Sequence, residues 1–233
     1  IVDRGQATNR ILAATTALAG AALLPFALSL GADLYIVLDY RFGVKAGVTI
    51  GASFALLAVT GWYGAEWALR QPPPPERPQD DPDTPINVRV EQMLTEARVL
   101  LPGAQALLGF QLAVILNEAF GQLPQTSKLI HVTALCCISL AIILLMAPAS
   151  FHRISFHGQN TERFHQLGSA LILTAAVPLG LGITGDIYVA VTKALEQPAI
   201  GVAVALVALL VLVALWLISP LMLRSKRRGS LLQ

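Results

Sequence analysis

Six stretches of this chain carry no Asp, Glu, Lys or Arg: Ile11 to Leu30, Ala46 to Ala65, Val99 to Leu116, Leu129 to Pro148, Gln166 to Gly185 and Ala199 to Leu223. Their lengths are 20, 20, 18, 20, 20 and 25 residues. A helix needs about 20 apolar residues to cross the roughly 30 Å of hydrocarbon in a bilayer. Hydrocarbon offers the backbone no partner, so only helices and closed barrels can span it. Barrel strands would read as alternating segments of about ten residues, and these runs do not alternate. The expected fold is therefore all-α, a polytopic membrane protein with about six transmembrane helices. Charged residues make up 13% of the chain, against about 25% in soluble domains. Such a surface must largely face something other than water.

Positive charge orients the helices. One face collects Arg4, Arg10, Arg70, Arg77, Arg89, Arg98, Arg153, Arg163, Arg224, Lys226, Arg227 and Arg228, and the other only Arg41, Lys45, Lys128 and Lys193. The positive-inside rule puts the richer face, with both termini, in the cytoplasm. Tyr35, Tyr40 and Tyr188 then fall at the outer interface, and Trp62, Tyr63, Trp67 and Trp216 at the inner one. The first run is too long for a signal-peptide core and leads straight into more membrane, so no cleavable signal is expected.

The opening IVDRGQATNR returns at residue 154 as ISFHGQNTER. Walking 1–57 against 154–210 without a gap gives 17 identities, among them Gly5, Gln6, Arg10, Pro25, Asp33 and Tyr35. One residue later in register, Trp62 meets Trp216. A mid-helix proline, an acid near the outer end and a tyrosine at equal spacing point to an internal repeat. Both copies start at the cytoplasmic face, so the repeat is parallel. The N-terminal pair matches only the back half of a four-helix unit and the chain does not open on Met, so a longer tandem protein is expected.

This divides the chain into an N-terminal helix pair over 1–70, a Pro-rich acidic cytoplasmic linker over 71–85, an amphipathic interfacial helix over 86–98, a four-helix membrane unit over 99–223 and a basic cytoplasmic tail over 224–233. The linker, QPPPPERPQDDPDTP, has seven prolines from Pro72 to Pro85 and favours an extended, semi-rigid geometry that packs no core. Thr84 before Pro85 is a good helix start. From there Ile86, Val90, Met93, Leu94 and Ala97 recur at helical steps with Arg89, Glu91 and Glu96 on the other face. That pattern predicts a helix lying on the inner membrane surface.

The stretches EARVLLPGAQALLGFQ, HVTALCCISLAIILLMAPASFHRI and TERFHQLGSALILTAAVPLGLGITGD resemble a bacterial family of small four-helix membrane proteins, a domain family of unknown function. The resemblance covers roughly 91 to 192, and RVLLPGAQ and APASFHRI are its specific parts. It implies the four-helix unit and a bacterial inner membrane, and no activity. The extra N-terminal pair and the linker depart from the single unit.

Ionisable groups at membrane depth are the candidates for function, because burying them is costly. Glu118, His131, Asp186 and its repeat equivalent Asp33 all fall toward the outer face, a candidate polar cluster for a proton or cation. Pro25 and Pro178 are candidate helix kinks, since proline removes a backbone hydrogen bond. The glycines of PLGLGITGD suit close helix packing. The inner loop offers His152, Arg153, His157 and Arg163, which with Arg10 are candidate contacts for anionic lipid headgroups.

No metal is expected. His152, His157 and His165 match no zinc spacing, and His131 lies at the opposite face from them, so no pair is placed for an axial haem. The adjacent Cys136 and Cys137 read as small core residues. Haem or pigment is disfavoured, a bound lipid is expected, and a net charge of +2 gives no footprint for nucleic acid. The chain has no GxSxG, phosphate-binding glycine loop or HExxH, so it reads as a non-enzyme. The first functional reading is an accessory or structural subunit packing on a larger membrane complex or on its own copies. The alternative is a channel or transporter for a small solute or ion, with the carboxylate and histidine site at its outer mouth; Gln105, Gln111 and Thr174 are few polar groups for its path.

Reporter fusions test the orientation. Alkaline phosphatase joined after Lys193 is expected to be active, and joined after Arg228 inactive; the reverse pattern would invert the topology.

Overall fold

The computed structural model describes residues 9–64, 85–156 and 158–219. Helix α1 spans Asn9–Phe42; α2, Val44–Val59, runs on through a π-helical turn, Thr60–Gly64. Then come α3 (Ile86–Leu116), the short α4 (Glu118–Gly121), α5 (Gln125–Ile154), α6 (Glu162–Leu195) and α7 (Pro198–Val213), which again ends in a π-helical turn, Ala214–Ile218. Among the described residues there is no strand, and six helices are long and apolar enough to cross a bilayer. The chain is an all-α protein of multi-pass membrane type.

The Pro-rich linker with Thr84, the basic tail and the first eight residues of the opening motif lie outside the described residues, as do His157 and the side chain of Arg10. Pro25 and Pro178 each sit inside a helix that runs on for 34 residues. Exposed hydroxyls are tied back into their own helices. Thr49 donates to Lys45 O, Ser53 to Thr49 O and Thr174 to Ala170 O, which satisfies polar groups where lipid cannot.

Two compact units emerge. The first holds the described residues within Ile1–Gln105 and Ile142–Thr174, the second those within Ala106–Ala141 and Ala175–Gln233. In the first, α1 and α2 cross backbone to backbone. A Cβ on Gly51 would lie 2.5 Å from Gly31 O, and one on Gly31 would lie 2.7 Å from Ala55 Cβ. Only glycine permits that approach, which in lipid replaces the hydrophobic driving force between helices. Trp62 in the π-helical turn is fully buried and donates its Nε1–H to Ile143 O at 3.0 Å, fastening the hairpin to α5. Phe26 lies against it, with ring centres 6.0 Å apart.

The expected surface helix over 86–98 is a correction. Residues 86–116 form one unbroken helix of 31 residues, about 46 Å long at 1.5 Å per residue and so longer than the hydrocarbon is thick. Its apolar stripe, Val90, Met93 and Ala97, is buried in the protein. Met93 fits where Gly168 of α6 has no side chain, and Arg89 pairs with Glu162 at the start of that helix. The same pattern suits a lipid surface or a helix partner, and packing onto α6 decided it.

In the second unit, α5 and α6 meet through Gly182 and Gly185; a Cβ on Gly185 would lie 3.0 Å from Ala134 Cβ. The PLGLGITGD glycines on this seam are packing residues. Cys136 and Cys137 are free and only half-buried.

The two hairpins are built to one measure. The α1–α2 arm has helices of 34 and 16 residues closed by a π-helical turn of 5, and so has the α6–α7 arm. The first helices correspond at an offset of 153 and the second at 154, so the ungapped pairing of 1–57 with 154–210 slips by one at the turn. Gly43 makes the first turn alone at φ 82°, whereas the second uses Glu196 at φ 55° followed by Gln197 and Pro198. In the shifted register Gly47 matches Gly201, and each packs against the carbonyl of the matching tyrosine, Tyr35 or Tyr188.

The glycine crossing is open to test. Gly51→Ala is expected to cost about 1–3 kcal/mol through overpacking and to lower the heat-unfolding midpoint in detergent. Gly109→Ala, where a Cβ meets nothing within 4 Å, is expected to leave it unchanged.

Candidate functional site

The second unit holds a cavity of about 590 Å³. Leu107, Phe110 and Val114 of α3 form one wall and Val189, Ala190 and Lys193 of α6 the other. Phe110 is 72% exposed while lining the cavity, so its mouth opens on the outside of the helices, where lipid would lie. Asn117 ends α3 and caps α4 by accepting from Ala119 N at 2.9 Å. Lys128 Nζ donates to Gly121 O at 2.7 Å and ties the same loop to α5. Together they hold Phe120 inward, 5.4 Å from the His131 ring.

Three polar side chains meet at this cavity. Gln111 Nε2 donates to Asp186 Oδ2 at 2.8 Å. His131 Nε2 lies 3.1 Å from Gln111 O, and His131 Nδ1 lies 3.3 Å from Asp186 Oδ1. Gln111 and His131 are 2% and 4% exposed. A carbonyl oxygen only accepts, so Nε2 carries a proton and donates to Gln111 O. A neutral ring would then turn the Nδ1 lone pair on a carboxylate oxygen, which is repulsive. The contact is an ion pair only when the ring is protonated.

The uncharged runs start and stop close to His131 and Asp186, but the helices extend further. Helix α6 continues nine residues past Asp186, to Leu195, about 13 Å at 1.5 Å per residue, and His131 lies six residues inside α5, which begins at Gln125. Glu118 opens α4 with its side chain exposed and is not among the cavity-lining residues. Asp33 is half-buried in α1 and belongs to the first unit. Thus His131 and Asp186 are brought together, Gln111 joins them, and Glu118 stays outside.

The sequence marks Gln111 only as a polar group for a pore path. Its distance from the end of the uncharged run was the available sign, since a glutamine there needs a buried partner. Gln105 is exposed and the Thr174 hydroxyl is occupied by Ala170 O. At the inner loop His152 Nε2 lies 3.0 Å from Asn160 Oδ1 and its ring is 4.9 Å from that of the buried Phe164. That ring is engaged by protein, while Arg153 and Arg163 are exposed. Among the described residues no three His, Cys, Asp or Glu side chains converge as metal ligands.

Residues 80–220, more than half of the chain, match a family of unknown function (DUF6328). The chain belongs to that family. Neither a curated protein nor a solved structure matches it. The DUF6328 region contains all three polar residues of the site and the whole cavity wall. It runs wider than the 91–192 carrying the recognisable motifs.

Removing one member of a buried charged pair costs about 3–5 kcal/mol, because the other is left without compensation. Asp186→Ala in this DUF6328 protein is expected to lower the unfolding midpoint in detergent by that order, whereas Glu118→Ala at the exposed position changes stability by less than about 0.5 kcal/mol. Equal effects would mean the three-residue contact contributes no stability.

Proposed function

We propose that this DUF6328 protein is a non-catalytic membrane protein that binds a small, largely apolar molecule drawn from the bilayer. The Gln111–His131–Asp186 cluster is the polar end of the site. The observation that carries this reading is the coincidence of the buried cluster with the cavity of about 590 Å³. Ligand pockets run to about 300–1,000 Å³, with apolar walls and a few convergent polar groups. An ionisable pair so far inside its helices is expensive unless it serves a purpose.

The site favours solute binding, the entry to a transport or sensing role, over a passive accessory subunit. The subunit reading keeps one support: the α2 and α7 spans are only 17% and 11% buried. Lipid covers such faces equally well. The equal hairpins support descent of the two arms from a duplicated helix pair. Placement in the bacterial inner membrane with cytoplasmic termini rests on the charge asymmetry and the resemblance. No metal, haem or pigment takes part in this reading.

A photoreactive alkyl diazirine in native-lipid vesicles tests it. Saturable labelling is expected on the α3 and α6 peptides around Phe110 and Val189. The Ala190→Trp variant, which fills the cavity one helical turn from Asp186, is expected to lose that labelling while keeping its unfolding midpoint. Labelling spread evenly over all lipid-facing helices and unaffected by Ala190→Trp would remove the site.

A further inference from the structure

The head group this site can accept is narrowed by which hydrogen-bonding atoms the cluster has already used. Gln111 Nε2 gives one hydrogen bond to Asp186 Oδ2, His131 Nε2–H gives one to Gln111 O, and His131 Nδ1 lies 3.3 Å from Asp186 Oδ1. The orientation of the Gln111 amide is fixed, since its reversal would set two oxygens 2.8 Å apart. Two acceptors remain. Gln111 Oε1 is buried with no hydrogen-bond partner, in a side chain only 2% exposed. Asp186 Oδ1 is also buried without a hydrogen bond, with His131 Nδ1 as its neighbour at 3.3 Å. An unpaired buried acceptor costs about 1–3 kcal/mol. Both belong to residues that line the cavity.

We infer that the cavity takes a neutral amphiphile whose head is a hydroxyl, an alcohol or phenol, donating its one proton to an open acceptor of Gln111 or Asp186. The inference rests on the reading that the cavity binds an apolar molecule, and it adds the head-group chemistry. A carboxylate, phosphate ester or ketone brings only acceptors and leaves both oxygens unpaired. An ammonium could donate, but Lys193 stands on the cavity wall, and burying a cation among apolar side chains is expensive. The apolar wall takes the ring or chain, and the exposed Phe110 marks the side from which it enters.

Competition against the diazirine label on the full-length chain tests this with three probes: para-octylphenol, its methyl ether para-octylanisole, and octylammonium. The phenol is expected to displace the label at about ten-fold lower concentration than the ether, the worth of one hydrogen bond to a charged network. In Gln111→Met, of similar shape, that ratio is expected to shrink toward about two-fold as one acceptor is lost. If Gln111→Met fails to fold, the wild-type ratio decides alone. Equal displacement by phenol and ether overturns the hydroxyl assignment and leaves the cavity reading standing, and so does stronger displacement by octylammonium. A label that none of the three displaces, and that persists in Ala190→Trp, overturns both.

Discussion

In hydrocarbon a polar group has no solvent partner, and the rest of this structure depends on that constraint. It makes every spanning segment a helix, because only the helix satisfies its own backbone. It folds the hydroxyls of Thr49, Ser53 and Thr174 back onto carbonyls a turn earlier. It also makes the exceptions informative. Gln111, His131 and Asp186 satisfy one another only partly, and two of their acceptor atoms are left open beside a cavity. Buried acceptors without a partner are uncommon and costly, which sets this cluster apart from the hydroxyls that fold back onto their own helices.

Within each unit, packing follows from small side chains. Lipid tails are as apolar as leucine, so helices gain little by hiding apolar surface from them and gain instead by close contact. Gly31 against Gly51, Gly168 beneath Met93, and Gly182 and Gly185 against α5 each trade a side chain for proximity. The Trp62 indole fastens the first hairpin to Ile143 O. Trp216 holds the matching place in the second hairpin. Helices α2 and α7, which leave most of their surface uncovered, present the apolar faces expected next to acyl chains.

Much of this was legible in the residues. The uncharged runs found six spanning helices because the thickness of hydrocarbon sets a length that composition reports directly. The repeated motif pairs 1–57 with 154–210 without a gap, and the helices keep that register only as far as the turn. One added residue there shows in the sequence only where Trp62 meets Trp216 one position later, yet it changes which glycine meets which tyrosine carbonyl. Residues 86–98 were misread as a surface helix because an amphipathic stripe does not say whether lipid or protein covers it. Arg89 with Glu162 and Met93 with Gly168 are partners about 75 positions apart, beyond any local pattern.

The sequence by itself determined the class, the number of spans and their charge asymmetry, since each depends on local composition against a fixed solvent thickness. It also singled out His131 and Asp186, because ionisable residues near long apolar runs are costly anywhere. Only the tertiary structure decided that these two face each other, that Gln111 joins them, and that Glu118 does not. Those facts depend on how far α5 and α6 extend past the uncharged runs and on the rotation of each helix about its axis. Helix ends and rotations are fixed by contacts between segments distant in the chain, and no single segment records them.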